Sequence, residues 1–217
     1  MDEHRRAGVA GVTFAVATVL QFVVLPVPPS WHANGADLRD YLIGHRAGVL
    51  AQGWLMVVAE IAFVVFLVGL CQLLRQGPGG VVLAATAAVG GAVLTAALLL
   101  GQVAYNATVW INGNVEKATD DTVRLAWSMA CLAIYGASMP GIVLVTASTA
   151  FAGTRSVAVP RWSAKIAAGV ALLGVAGTLV QFGPAYAWFG LAAFLGLVAF
   201  SLAIAVPMIL RRAENAS

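Results

Sequence analysis

Charge is the scarcest commodity in this sequence: only 10% of its 217 residues are Asp, Glu, Lys or Arg, against 61% hydrophobic. A soluble domain of that length has too small a core to hide so much apolar surface, so an aqueous fold is excluded and a membrane is the expected solvent. Cysteine is almost absent. Cys71 and Cys131 fall near opposite ends of neighbouring apolar runs, which places them on opposite sides of a bilayer and rules against a disulfide. Histidine is confined to His4, His32 and His45, all outside the apolar runs, so no intramembrane pair can hold a b-type haem and no Cys/His cluster has metal-ligand spacing. Neither a cofactor nor a metal is expected. Gly77-Pro78-Gly79-Gly80 lacks the Lys-Ser/Thr of a phosphate loop, and neither Gly-x-Ser-x-Gly nor His-Glu-x-x-His occurs. No constellation argues for an enzyme. The net charge of +3 comes mostly from residues flanking the runs, where it orients a membrane protein, so no nucleic-acid partner is implied.

What is present is a series of six apolar runs, at about 7–26, 47–74, 80–107, 125–152, 164–183 and 187–210, each long enough to cross about 30 Å of hydrocarbon as a helix. The expectation is an all-α polytopic integral membrane protein, with six transmembrane helices in one bundle forming a single domain over residues 1–217. The first run follows Arg5 and Arg6 like a secretory signal, but it is longer than a usual signal core and no Ala-x-Ala site follows, so a retained signal anchor is expected. Turn chemistry separates the runs: Pro26, Pro28 and Pro29, then Gln76 to Gly80, Asn112-Gly113-Asn114, Gly153 to Pro160, and Gly183-Pro184.

Lys and Arg set the expected orientation. Arg5, Arg6, Arg75, Arg155, Arg161, Lys165, Arg211 and Arg212 fall on one side, and Arg39, Arg46, Lys117 and Arg124 on the other. The richer side faces the cytoplasm by the positive-inside rule, which puts both termini there in a cell-membrane protein. Trp31, Trp54, Trp110, Trp127 and Trp188 gather near the opposite edge as a lopsided aromatic belt. The connection 35–46 has the pattern of a short amphipathic helix anchored on the interface, with a lid over an outer pocket as the other reading.

Few lysines, two against ten arginines, and abundant Ala, Val, Gly and Leu fit a GC-rich bacterial source. The stretch "DLRDYLIGHRAGVL" runs into a long second span ending in Leu-Cys-Gln-Leu-Leu-Arg. Within a six-span chain of this size, that pattern resembles actinobacterial membrane proteins catalogued as domains of unknown function. The resemblance implies the six-span topology and carries no catalytic residue.

Glu60 is the most informative single residue. It falls near the middle of the second span, where a charged carboxyl costs roughly 2.5–3.5 kcal/mol on insertion scales and is a functional candidate by default. No Lys or Arg lies within any span core to pair with it, so the neutral acid is expected. Thr13, Thr95, Ser138 and Ser201 fall at similar depth and suggest a hydrogen-bonding layer, although such hydroxyls also bond their own backbone. Nearer the outer edge come Gln21, Gln52, Gln102 and Gln181, with Asn106 one turn beyond Gln102. Small residues at helical spacing precede the amides of spans one, three and five, so these are expected to point inward. Pro140, in the middle of the fourth span, is expected to kink or break its helix. Finally, "VATVLQF" in span one echoes "VAGTLVQF" in span five, two helices running in the same direction. The echo argues against an inverted repeat.

These features lead to an expected non-enzymatic protein of the lipid bilayer. Its outer-facing polar interior binds a lipid or small apolar ligand, or docks a partner membrane protein or a second copy. The other reading is a small proton-coupled transporter using Glu60.

Overall fold

The computed structural model describes residues 3–25, 29, 33–110, 117–155 and 159–210, without the side chains of 108–110 and 184. Every regular element among them is helical: α1 (Glu3–Val24), α2 (Gly35–Gly44), α3 (Arg46–Arg75), α4 (Gly80–Trp110), α5 (Asp120–Leu132), α6 (Met139–Arg155), α7 (Arg161–Gly177) and α8 (Ala187–Leu210). Six stretches are long and apolar enough to cross a membrane: Glu3–Val24, Arg46–Arg75, Gly80–Ala107, Asp120–Arg155, Arg161–Phe182 and Ala187–Leu210. Only 39–56% of each apolar window is buried within the protein. The remainder turns side chains such as Val23, Val68, Val89 and Leu172 outward. Such a belt exceeds the apolar patches a soluble monomer leaves in water, so the chain is an all-α polytopic membrane bundle.

The spanning helices touch in chain order, α1 to α3 to α4 to the α5–α6 span to α7 to α8, and α8 returns to α1, closing the ring. Ring closure depends on small residues, because lipid tails are as apolar as leucine and helices associate only where their backbones approach closely. The α4–α6 crossing is the tightest case. A Cβ added to Gly141 would lie 2.6 Å from both the Gly90 carbonyl oxygen and the Leu94 nitrogen, with no flexible side chain to yield. The α3–α4 turn places Gly79 at φ 69°, a left-handed conformation that glycine adopts without steric cost. Inside the ring, Phe14, Phe63, Phe66 and Phe200 form a chain of tilted and edge-on ring contacts with centroids 5.2–6.3 Å apart. These fill the half of the bundle towards the Arg75 end.

Two departures from regular helix occur at similar depth. Between α5 and α6 the chain makes a π turn, Ala133–Ala137, with the Ser138 amide donating to the Ala133 carbonyl five residues back at 3.1 Å. Pro140 explains it: the ring carries no N–H and would press on the carbonyl four residues earlier, so the helix widens by one residue just before it. The interruption expected at Pro140 is therefore a π bulge, after which α6 continues from Met139. Span five ends differently, tightening from α7 into a 3-10 turn over Thr178–Phe182.

Nor does α2 lie with its apolar side on the interface. Leu38 and Leu42 are buried against Leu25, Val49 and Val123, from the ends of α1, α3 and α5. Asn34 caps the helix, its Oδ1 accepting from the Asp37 amide at 2.8 Å, and Arg39 binds the Ala118 carbonyl at 2.7 Å and pairs with Asp120. The segment is a cap on the ring. Of the tryptophans, Trp54 and Trp188 are exposed as a belt requires, whereas Trp127 is half-buried against Tyr41 and Tyr105. Trp31, the side chain of Trp110, and Arg211 and Arg212 lie outside the described residues.

The glycine crossing has a measurable consequence. Gly141→Ala is expected to destabilise the bundle by about 2 kcal/mol through overpacking. Gly169→Ala, where an added Cβ meets nothing within 4 Å, should not destabilise and should gain slightly from the better helix propensity of alanine. Thermal unfolding of both variants in one detergent, followed by circular dichroism, checks the contrast.

Candidate functional site

Glu60 sits halfway along the 30-residue α3, on the face that also carries Met56 and Phe63 at helical spacing. That face turns into the ring, leaving Glu60 only 7% exposed. Around it α1, α3, α4 and α8 enclose a partly open cavity with about 300 Å³ of empty space including its mouth. Once the open mouth is left aside, there is room for roughly one water molecule. Its polar lining is Thr18 and Gln21 from α1, Glu60 from α3 and Thr95 from α4, while Phe14, Phe63 and Phe194 supply aromatic walls. Among the described residues no other titratable side chain and no cation lines it.

The hydrogen bonds distinguish this site from the other buried hydroxyls. Ser138, Thr146, Ser148, Thr149 and Ser201 each donate to a carbonyl three or four residues back in their own helix, and Ser163 donates across to Ala203. Thr18, although 1% exposed, makes no such bond, and neither does Glu60 Oε1 have a partner. A buried polar atom left unpaired forfeits roughly 1–3 kcal/mol, so two orphans on one cavity mark a place built for something other than packing.

A second polar group lies two turns along α3 and α4 towards the α2 end. Gln102 is 8% exposed with Nε2 unpartnered, and half-buried Asn106 leaves Oδ1 unpartnered. Both amides rest on Gly53 of α3: a Cβ there would lie 2.7 Å from Gln102 Nε2 and 3.0 Å from Asn106 Nδ2. Beyond them comes an aromatic group in which Tyr105 and Tyr41 flank Trp127, and His45 lies against Tyr41 with its Nδ1 2.9 Å from the Tyr41 carbonyl. Burial raises the Tyr41 phenol above the ordinary tyrosine range, which keeps it a neutral hydroxyl.

The residues expected from sequence thus divide. Glu60, Gln21 and Thr95 line one cavity, while Gln102 and Asn106 form a separate pair. Gln52 is half-buried beside Gly53 and does not line the cavity. Ser138 and Ser201 are satisfied by their own helices, and Thr13 is exposed and donates to Val9. Gln181 is also exposed, against the expectation that it points inward. The 3-10 turn is the reason: at about 120° per residue instead of 100°, it carries Gln181 off the face defined by the buried Gly174 and Gly177. Sequence reading missed Thr18 and Gly53. Phe14, Thr18 and Gln21 stand at i, i+4 and i+7, a pattern that does point to one helical face. The two cysteines are free thiols.

No family model, curated protein or solved structure matches this chain.

A double-mutant cycle tests the amide pair. Gly53→Ala is expected to cost about 1 kcal/mol by displacing Gln102, and most of that cost should vanish in a Gln102→Ala background. Equal costs in both backgrounds, measured by unfolding in the same detergent, would show that the amide does not occupy the glycine's groove.

Proposed function

We propose that the chain is a non-enzymatic multi-pass protein of the cell membrane that acts as a small proton-coupled carrier, with Glu60 as the carboxyl that exchanges the proton. One observation carries this reading: a carboxyl oxygen without a partner faces a water-sized cavity that no protein cation enters. A carboxylate in such surroundings must be neutralised, and a proton is the simplest neutraliser. One water in the cavity gives the proton a first stepping stone. The aromatic chain of Phe14, Phe63, Phe66 and Phe200 closes the route towards the Arg75 end.

The same reading places both termini in the cytoplasm and the α2 cap outside, from the Lys and Arg distribution. With Cys71 and Cys131 replaced by alanine, Asp121→Cys should react with a membrane-impermeant maleimide in intact cells and Gln76→Cys should not. The reverse pattern would invert the topology.

A second reading draws on the apolar walls: the interior holds a lipid or small apolar ligand, or docks a partner subunit, after widening beyond its present single-water space. A defined extra mass retained in native mass spectrometry from mild detergent would favour it.

Reconstituted vesicles separate the readings. After an imposed pH step, wild type should pass protons above the empty-vesicle rate, and Glu60→Gln, isosteric but unable to exchange a proton, should fall to that baseline. Equal flux in the two proteins would remove Glu60 from the transport role.

A further inference from the structure

We propose that the Glu60 cavity is also a binding site for a desolvated monovalent cation of sodium size, which takes the place of the proton on Glu60. This rests on the reading of Glu60 as an exchanging carboxyl and names its second ligand.

The donor set sets the chemical class. Two buried, unpartnered oxygens, Glu60 Oε1 and Thr18 Oγ1, belong to residues that line the cavity from α3 and α1, and Gln21 and Thr95 complete its polar lining. No His or Cys is among the lining residues, whose one sulfur is the Met56 thioether, and the carboxylate, hydroxyl and amide oxygens suit hard cations. The charge follows from the single carboxylate. Calcium sites gather several acids, whereas no second acid lines this cavity, and no group of three His, Cys, Asp or Glu side chains occurs among the described residues. One negative charge balances one positive charge. Size follows from the space, which admits about one water molecule and therefore an ion that has shed its shell. Thr18 is the discriminating residue, since its hydroxyl forgoes the backbone bond that the neighbouring Thr13 makes.

The exchange balances without any other reactant. As the cation enters, the O–H bond of the Glu60 acid breaks and the proton leaves to water through the cavity mouth, so the net charge of the site does not change. Proton and cation compete for one carboxylate. No other titratable or charged side chain from α1, α4 or α8 faces the cavity, so the competition is a property of Glu60 alone.

Infrared difference spectroscopy of the reconstituted full chain reads this directly. At a fixed pH where wild type shows the protonated Glu60 band, replacing N-methylglucamine chloride by sodium chloride should convert that band to carboxylate in a saturable way. Glu60→Gln should show no response, and potassium chloride should have little effect. Thr18→Val should need roughly tenfold more sodium, the loss of about one ligand interaction. A band that titrates with pH yet ignores sodium, or answers equally to potassium, would overturn the cation site and leave the proton reading standing. An unchanged sodium dependence in Thr18→Val would likewise overturn the site as drawn. A carboxyl that neither titrates nor answers to sodium would overturn both.

Discussion

The interior of this bundle depends on how closely α1 lies between α3 and α8. Ala7 packs against Gly69 of α3, and a Cβ added to Gly11 would lie 2.7 Å from the Phe66 ring and 2.8 Å from Ala205 Cβ. Gly8 is equally close to Ala205 and Ile209. These contacts close the ring and set the height and rotation of α1, thereby holding Thr18 and Gln21 across from Glu60 two and three turns further along the helix. Nothing comparable to water-driven collapse holds such helices together, so the small residues are the means of assembly.

Within that frame, polar atoms follow a simple division. Ser138, Thr146, Ser148, Thr149 and Ser201 donate to their own helix's carbonyls, which removes them from chemistry at almost no cost, and Thr18 is the exception. As a carboxylate Glu60 has no such refuge, because it and the carbonyls of its helix all only accept, and only the neutral acid carries an O–H to donate. Its proton, a water or a cation must therefore supply what the backbone cannot. The Gln102–Asn106 pair is a milder case. Amides both donate and accept, so two of them in the groove of Gly53 can be served by one another or by a single water.

The six spans were legible in the sequence because hydropathy over twenty residues reports solvent, and solvent decides which segments become helices in a membrane. Depth was legible for the same reason: counting along α3 puts Glu60 in the middle, where it is found. Rotation was harder to read. Thr13 and Thr18 differ by five residues, about 140° around the helix, and an all-round apolar sequence gives weak guidance on which faces the ring. Thr13 points out and Thr18 in because Gly8, Gly11 and Ala15 turn that side of α1 onto its neighbours. Local helix type was also invisible at this level. "VATVLQF" and "VAGTLVQF" look alike, yet Gln21 lies on a regular α-helix and is buried, while Gln181 lies on a 3-10 turn and is exposed. For α2 the sequence left an interfacial anchor and a lid both open, because an amphipathic decapeptide presents the same pattern whether its apolar side meets lipid or protein.

The bundle is packed by different physics on the two sides of the cavity, and this bears on how a carrier of this shape would work. Towards the Arg75 end the obstruction is a chain of phenylalanines from α1, α3 and α8, interdigitated and dry, which opens only if those helices separate. Towards the other end lie the amide pair, the Tyr41–Trp127–Tyr105 group, and α2 fastened by Arg39 to the start of α5. Polar and aromatic groups of that kind can rearrange around water one side chain at a time. If Glu60 exchanges a proton, the α2 side would open by local side-chain motion, whereas the Arg75 side would open only by parting helices that the phenylalanines join. The helices α1 and α8 meet through Gly8, Gly11 and Ala205, with Met208 and Ile209 also lying against Gly8. The rate-limiting motion of such a carrier would sit at the same close approach that gives the bundle its interior.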